Sequence, residues 1–123
     1  MEPLVRSKLV FTSEHPHELL DSFFEGQAVA SGYDKVSNSY YWEISNSQRS
    51  YCADDPLSEF ATFLEGKEAA LKGFVKKGGN IRVLLAIEPG DSMPSLTLNC
   101  HLMSTFGKWI EFLDIDLYML RAK

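Results

Sequence analysis

DPLSEFATFLEGKEAALKGFVKKGGNIRVLLAI, residues 55–87, joins a helical pattern to a strand pattern and thereby decides the fold. Asp55-Pro56 favours a helix start, because an aspartate caps free N–H groups and a proline at the first helical position loses no hydrogen bond. Apolar residues then recur at helical spacing as far as Lys77, where Gly78-Gly79 ends the pattern. We therefore predict one helix over residues 56–77, which Gly66 weakens enough to allow a bend or break. The alternating residues 81–87 predict a strand.

Shorter patterns on both sides of this stretch complete an α+β arrangement. They predict strands at residues 8–12, 40–45, 96–100 and 115–119, a short strand at 28–30, and helices at 17–24 and 102–113. The strand at 96–100 would return beside the strand at 81–87 as a central hairpin. This order predicts a single α+β domain over residues 1–123, with a mixed or antiparallel sheet of about five strands and helices mainly on one face.

The charge of the chain is concentrated in its first half. Residues 1–65 hold eleven acids and four bases, and the whole chain has a net charge of −5. Such an acidic surface repels phosphate backbones and anionic lipid, so we expect neither nucleic acid nor a membrane as partner. The chain shows no transmembrane run and no signal peptide, and its two cysteines form no disulfide framework. These features favour a cytoplasmic protein.

The residues that commonly perform chemistry lack the required spacing. His15 and His17 form one close pair and Cys100-His101 another, but zinc sites need liganding pairs at spacings that neither provides. Cys100 continues the apolar face of a predicted strand, which predicts a buried thiol. Nucleophile and phosphate-loop motifs do not occur in the sequence. We expect no metal, no cofactor and no enzymatic activity.

Residues 33–59 combine tyrosines with acids in the most polar part of the chain. Tyr40 and Trp42 share a strand face with Ile44 and are expected in the core, whereas Tyr41 lies on the opposite face. Tyrosine among serine and asparagine is the mixture that binding surfaces use, and acids adapt such a surface to lysine and arginine. Capping by itself accounts for one aspartate of the Asp54-Asp55 pair. The predicted contacts with a partner are Tyr33, Asp34, Tyr41, Glu43, Tyr51, Asp54, Asp55 and Glu59.

Three segments resemble a bacterial family known as domain of unknown function 4279. They are the tryptophan strand Trp42-Glu43-Ile44, residues 67–86 (KEAALKGFVKKGGNIRVLLA) and residues 95–118 (SLTLNCHLMSTFGKWIEFLDIDLY), which is similar to that family's closing helix and its "DIDIY"-like strand. The resemblance implies no catalytic residues. In size and acidity, the chain is also similar in kind to the immunity proteins of bacterial toxin systems, which bind and block one cognate toxin, often a basic nuclease.

The leading hypothesis is thus a small cytoplasmic immunity protein that binds a basic toxin and occludes its active site. The alternative is a small-molecule-binding or enzymatic domain with a pocket on the outer face of the sheet, lined by Leu84, Ala86, Tyr118 and Leu120. A third interpretation is a homodimer formed through that same face.

Overall fold

The computed structural model describes residues 1–15 and 21–117. Its five strands are β1 Leu4–Ser13, β2 Ala30–Asp34, β3 Ser39–Arg49, β4 Asn80–Glu88 and β5 Phe112–Leu117. Its helices are α1 Asp55–Leu64, α2 Glu68–Lys76 and α3 Cys100–Trp109, together with the short 3-10 helix Asp21–Phe24. The predicted α+β class with a five-stranded sheet is confirmed. In the described part of the chain, every helix is too short or too polar to cross a bilayer.

The sheet is mixed and has the strand order β2-β3-β1-β4-β5. Its central strand β1 pairs antiparallel with both β3 and β4, so that Phe11 lies opposite Trp42 on one side and opposite Ile81 on the other. β2 pairs antiparallel with β3 as a hairpin, and β5 pairs parallel with β4 after the crossover through α3. β2 and β5 therefore form the two edges.

One face of this sheet is buried beneath the helices. Leu9, Phe11, Trp42, Ile44 and Ile81 point to that side and form one core with apolar residues of all three helices, among them Leu57, Leu64, Leu71, Phe74 and Leu102. Because side chains alternate along a strand, the neighbouring positions point the other way. They form what we call the open face, on which Arg6, Lys8 and Arg82 are exposed.

The predicted helix over residues 56–77 is two helices. α1 ends at Leu64 and α2 begins at Glu68, and between them Gly66 has a φ of +76°. Glycine adopts this left-handed conformation without the steric cost that other residues meet. The Glu65 N–H still donates to the carbonyls of Ala61 and Thr62, which closes the last turn of α1. The break thus falls at the glycine that the sequence marks as the weak point.

The predicted strand at residues 96–100 is wrong, and with it the central hairpin. Residues 96–99 have no regular structure, and the Asn99 side chain accepts a hydrogen bond of 2.9 Å from the Leu102 N–H, which caps α3. Cys100 is therefore the first residue of α3 and is exposed, so the prediction of a buried thiol is also wrong. The position beside β4 belongs to β5 instead.

The remaining differences concern element boundaries. β1 and β3 extend beyond the predicted segments at both ends, β2 occupies residues 30–34 instead of 28–30, and β5 begins at Phe112 instead of Ile115. Of the predicted helix 17–24, residues 17–20 lie outside the described residues and Asp21–Phe24 forms a 3-10 helix. Tyr118, Met119 and Leu120, which were assigned to the last strand or to the pocket on the outer face, also lie outside them.

Candidate functional site

Among the described residues, three ion pairs between neighbouring strands cross the open face. Arg6 of β1 pairs with Glu88 of β4. Lys8 Nζ lies 3.7 Å from Glu43 Oε2 of β3, and Arg82 Nη2 of β4 lies 2.6 Å from Asp114 Oδ2 of β5. Exposed pairs of this kind stabilise a fold by about 1 kcal/mol or less. Each base that β1 and β4 place on this face thus lies beside a carboxylate.

One end of the open face forms a hollow of about 730 Å³, which we call the acidic concavity. Its charged lining, among the described residues, consists of the carboxylates of Asp34, Glu43 and Glu111 and the guanidinium of Arg82. Since that guanidinium is already paired with Asp114, the concavity keeps an excess of negative charge. Tyr41 and the exposed Phe112 add aromatic surface beside the carboxylates.

The position of Tyr41 depends on a glycine in the edge strand. Tyr41 lies opposite Gly32 of β2, and a Cβ atom built on Gly32 would lie 2.8 Å from the Tyr41 hydroxyl oxygen. The phenol therefore lies across the backbone of β2, in a space that only a residue without a side chain leaves free. This arrangement brings the Tyr41 hydroxyl to the edge strand of the sheet.

Tyr33 and Asp34 lie where the β2–β3 hairpin turns. The Tyr33 ring contacts Tyr40 edge-on at 4.8 Å, and its hydroxyl donates to the side chain of Asn38. The Asp34 carboxylate accepts a hydrogen bond of 2.9 Å from the Val36 N–H, a local bond that favours a turn. The turn thereby fixes both residues at the rim of the acidic concavity.

The other four predicted contact residues lie elsewhere. Asp55 accepts a hydrogen bond from the Ser50 hydroxyl, and Glu59 accepts one from the Asn46 side chain. Asp54 Oδ1 accepts a hydrogen bond of 3.4 Å from the Thr97 N–H. The Tyr51 hydroxyl donates to Asp91. The prediction that Asp55 caps the helix is wrong, because Asp55 is the first residue of α1. Asp54 is the N-cap residue by position, but its side chain makes no capping bond.

The structure thus places the predicted contact residues in three regions. Tyr33, Asp34, Tyr41 and Glu43 line the acidic concavity. Tyr51, Asp54 and Asp55 follow the far end of β3. They are remote from the concavity, because the strand rises about 26 Å between Tyr41 and Arg49. Glu59 belongs to the helical layer. The eight predicted contact residues therefore do not form one continuous surface.

Asp91 joins Tyr51 to the amino terminus. The Met1 ammonium lies 3.0 Å from Asp91 Oδ2, and the Tyr51 hydroxyl donates to the same oxygen over 2.9 Å. The ammonium and then the Tyr51 hydroxyl, as donors to the charged form, hold the pKa of Asp91 below its usual value. The same bond raises the pKa of Tyr51, because ionisation would lose the proton that it donates. Tyr51 therefore has an intramolecular role at the far end of the sheet.

Replacing Tyr51 by phenylalanine is expected to raise the pKa of Asp91. A carboxyl group with a lowered pKa contributes stability that is present above its unfolded pKa and is lost as the pH falls through its folded pKa. Removing one donor moves that loss to higher pH. An NMR titration of the Asp91 carboxyl group measures the shift, and Tyr33→Phe, remote from Asp91, should leave the midpoint unchanged. Equal midpoints in wild type and Tyr51→Phe would show that the hydrogen bond does not act on Asp91.

Sequence reasoning missed Glu111 and Phe112 of the acidic concavity, and also the glycine that leaves room for Tyr41. Apolar spacing continues past Trp109 and predicts a helix over both residues, whereas Glu111 directly precedes β5 and Phe112 is its first residue. Gly32 gave a signal, since a glycine between polar residues indicates close approach of another group, but its partner Tyr41 is identified only by the strand register.

A second concavity of about 490 Å³ lies farther along the open face. Leu84 and Ala86, two of the residues predicted to line a pocket there, belong to its lining, and its charged lining residues are Arg6, Lys8 and Glu88. Leu84 and Ala86 of β4, opposite Lys8 and Arg6 of β1, supply its apolar floor. The open face therefore has one end with an excess of acids and another where two bases, each paired with a carboxylate, lie beside apolar surface.

Comparison with protein-family models, with curated proteins and with solved structures finds no match to this chain. The resemblance to domain of unknown function 4279 and the similarity in kind to immunity proteins stay predictions.

Proposed function

We propose that this chain is a small acidic binding protein whose acidic concavity receives basic side chains of a protein partner. In its most specific form, the proposal is an immunity protein that neutralises a cognate bacterial toxin by occluding the active site of that toxin. The observation that carries the proposal is the grouping of Asp34, Glu43 and Glu111 with Tyr41 and Phe112 in one concavity of the open face.

The chemistry of the concavity suits lysine and arginine. Carboxylates form the strong, charge-assisted hydrogen bonds with guanidinium and ammonium groups, and aromatic faces attract the same cations. A contact between a cation and an aromatic face already exists within the chain: the guanidinium carbon of Arg82 lies 5.8 Å from the centre of the Phe112 ring. A partner arginine would meet the same ring and the neighbouring carboxylates.

Occlusion of an active site would involve more of the open face than the acidic concavity. A stable complex buries about 800 Å² on each partner, an area that extends beyond the concavity to the ion-paired part of the face. The net charge of −5 would attract a basic partner and speed its association at low salt. Under this proposal, the sequence-predicted contact set narrows to Tyr33, Asp34, Tyr41 and Glu43, and gains Glu111 and Phe112.

The proposal is tested with the neighbouring reading frame in the source genome. We expect it to encode a secreted protein with a small basic toxin domain. Expression of that domain in a bacterial host should arrest growth, and co-expression of this chain should restore it through a complex that survives size-exclusion chromatography. A toxin domain that arrests growth equally in the presence of this chain would overturn the immunity role, and a neighbouring product without toxicity would do the same.

The second concavity favours a second candidate function, the binding of a small amphipathic anion. Its volume of about 490 Å³ falls within the range of small-molecule sites, about 300–1,000 Å³. Arg6 and Lys8 border its apolar floor, and a bound anion would replace their present partners Glu88 and Glu43. Octanoate is a suitable probe, with hexylamine as the control of opposite charge. At a hundred times its dissociation constant, a ligand stabilises the fold by about 2.7 kcal/mol, which a thermal shift would detect. No shift with octanoate, or an equal shift with hexylamine, would argue against this candidate.

A further inference from the structure

Within residues 1–15 and 21–117, β2 is an edge strand that pairs with another strand on one side only. It lies at one end of the sheet and pairs with β3 through five consecutive residues without a bulge. Four of its residues are exposed, and Gly32 is half-buried beneath the Tyr41 ring. An edge strand presents unpaired N–H and C=O groups, and proteins commonly protect such edges with lysine, proline or a bulge. The sequence of β2, ASGYD, contains neither lysine nor proline.

The acidic side chains around β2 favour basic side chains in any strand that pairs there. Asp34 ends β2, and Glu43 lies opposite Ala30 on β3, on the open face. The Tyr41 hydroxyl lies across Gly32, between these two carboxylates along the strand. In an added strand, alternate side chains would point to the open face and so toward Tyr41, Asp34 and Glu43. Lysine or arginine at those positions would meet the Asp34 carboxylate, and would share Glu43 with Lys8, whose Nζ lies 3.7 Å from it.

We propose that the partner binds by strand addition: an extended segment with alternating basic residues pairs its backbone with the free edge of β2 and directs those residues into the acidic concavity. This inference rests on the proposed recognition of a basic protein partner and adds the mode of binding. Backbone hydrogen bonds supply affinity in such complexes, and the alternating side chains supply specificity.

The other edge strand, β5, fits this partner less well. Asp114 is the described carboxylate that β5 directs to the open face, and it is already paired with Arg82 at 2.6 Å. A basic side chain arriving there would compete with an existing guanidinium. At β2, in contrast, the Asp34 carboxylate accepts only a local backbone N–H among the bonds of the described residues.

Two peptides of equal charge separate strand addition from simple charge attraction. The first is acetyl-(Lys-Val)₄-amide, which forms extended strands readily. The second is acetyl-(Lys-Pro)₄-amide, in which proline removes alternate N–H donors and fixes φ away from β geometry. Isothermal titration with the wild-type chain gives both affinities. Hydrogen exchange of the β2 amides, followed by NMR with and without peptide, gives the position of binding.

We expect the Lys-Val peptide to bind at least tenfold more tightly than the Lys-Pro peptide and to slow exchange of alternate amides in Ala30–Asp34 at least tenfold. Equal affinities would overturn strand addition and leave charge recognition by the acidic concavity intact. Slowed exchange in β5 instead of β2 would overturn the choice of edge. Binding of neither peptide would count against both this inference and the proposed function. The double variant Asp34→Asn/Glu43→Gln should weaken both peptides, because it removes their shared charge attraction.

Discussion

Replacing Phe11 by alanine is expected to lower the free energy of unfolding by about 3–5 kcal/mol, the usual cost of truncating a buried phenylalanine. Phe11 is fully buried at the middle of the sheet, in the central strand β1. Its ring makes edge-on contacts with Phe23, Phe24 and Phe74 at centroid distances of 5.5, 5.6 and 6.0 Å. Such aromatic pairs contribute about 0.5–1.5 kcal/mol each beyond burial of their area.

This loss would be a large part of the stability of the fold, since native domains unfold with about 5–15 kcal/mol. Urea unfolding followed by circular dichroism measures it. Phe112→Ala is the matched control, because the Phe112 ring is 54% exposed and should cost about 1 kcal/mol or less. If the two variants lost equal stability, Phe11 would not be at the centre of the core described above.

Reversing the charge of Asp34 and Glu43 together is expected to weaken binding of the basic partner at least a hundredfold. Asp34→Lys/Glu43→Lys places two like charges against the incoming bases, and like charges opposed across an interface cost several kcal/mol. A hundredfold loss corresponds to about 2.7 kcal/mol. Surface plasmon resonance with the toxin domain gives the affinity, and the loss should shrink as salt screens the charges.

Glu59→Lys/Glu68→Lys is the control for this reversal. It makes the same change of net charge, but both residues are exposed on the helices that cover the opposite face of the sheet. We expect it to slow association only slightly. An equal loss of affinity in both double variants would mean that net charge, and not the acidic concavity, determines binding. An unchanged affinity of the Asp34→Lys/Glu43→Lys variant would remove the concavity from the interface.

The parts of the fold that the sequence predicted are those with strong local signals. β4 follows from its alternating apolar residues, and the break between α1 and α2 falls at Gly66 as the cost of an internal glycine suggests. The false strand at residues 96–100 shows the limit of alternation alone. Leu96 and Leu98 alternate, but the side chain of Asn99 starts α3, and a helix cap outweighs a pattern of two leucines.

The site was predictable only in part, because strand register is not visible in a local pattern. Alternation correctly separated Tyr41 and Glu43 from Trp42 and Ile44. It could not tell that Tyr51, ten residues after Tyr41, lies at the other end of a long strand, where Asp91 engages its hydroxyl. Alternation also could not predict that Glu111 lines the same concavity as Tyr41, because this depends on the crossover that places β5 beside β4.

Zero-length cross-linking of the purified complex tests the central claim most directly. A carbodiimide joins carboxylates to lysine amines in contact, and mass spectrometry identifies the joined residues. With the toxin domain as partner, we predict cross-links from Asp34, Glu43 or Glu111, and none from Glu59 or Glu68. Cross-links confined to Glu59 and Glu68 would place the partner on the helices and contradict recognition by the open face.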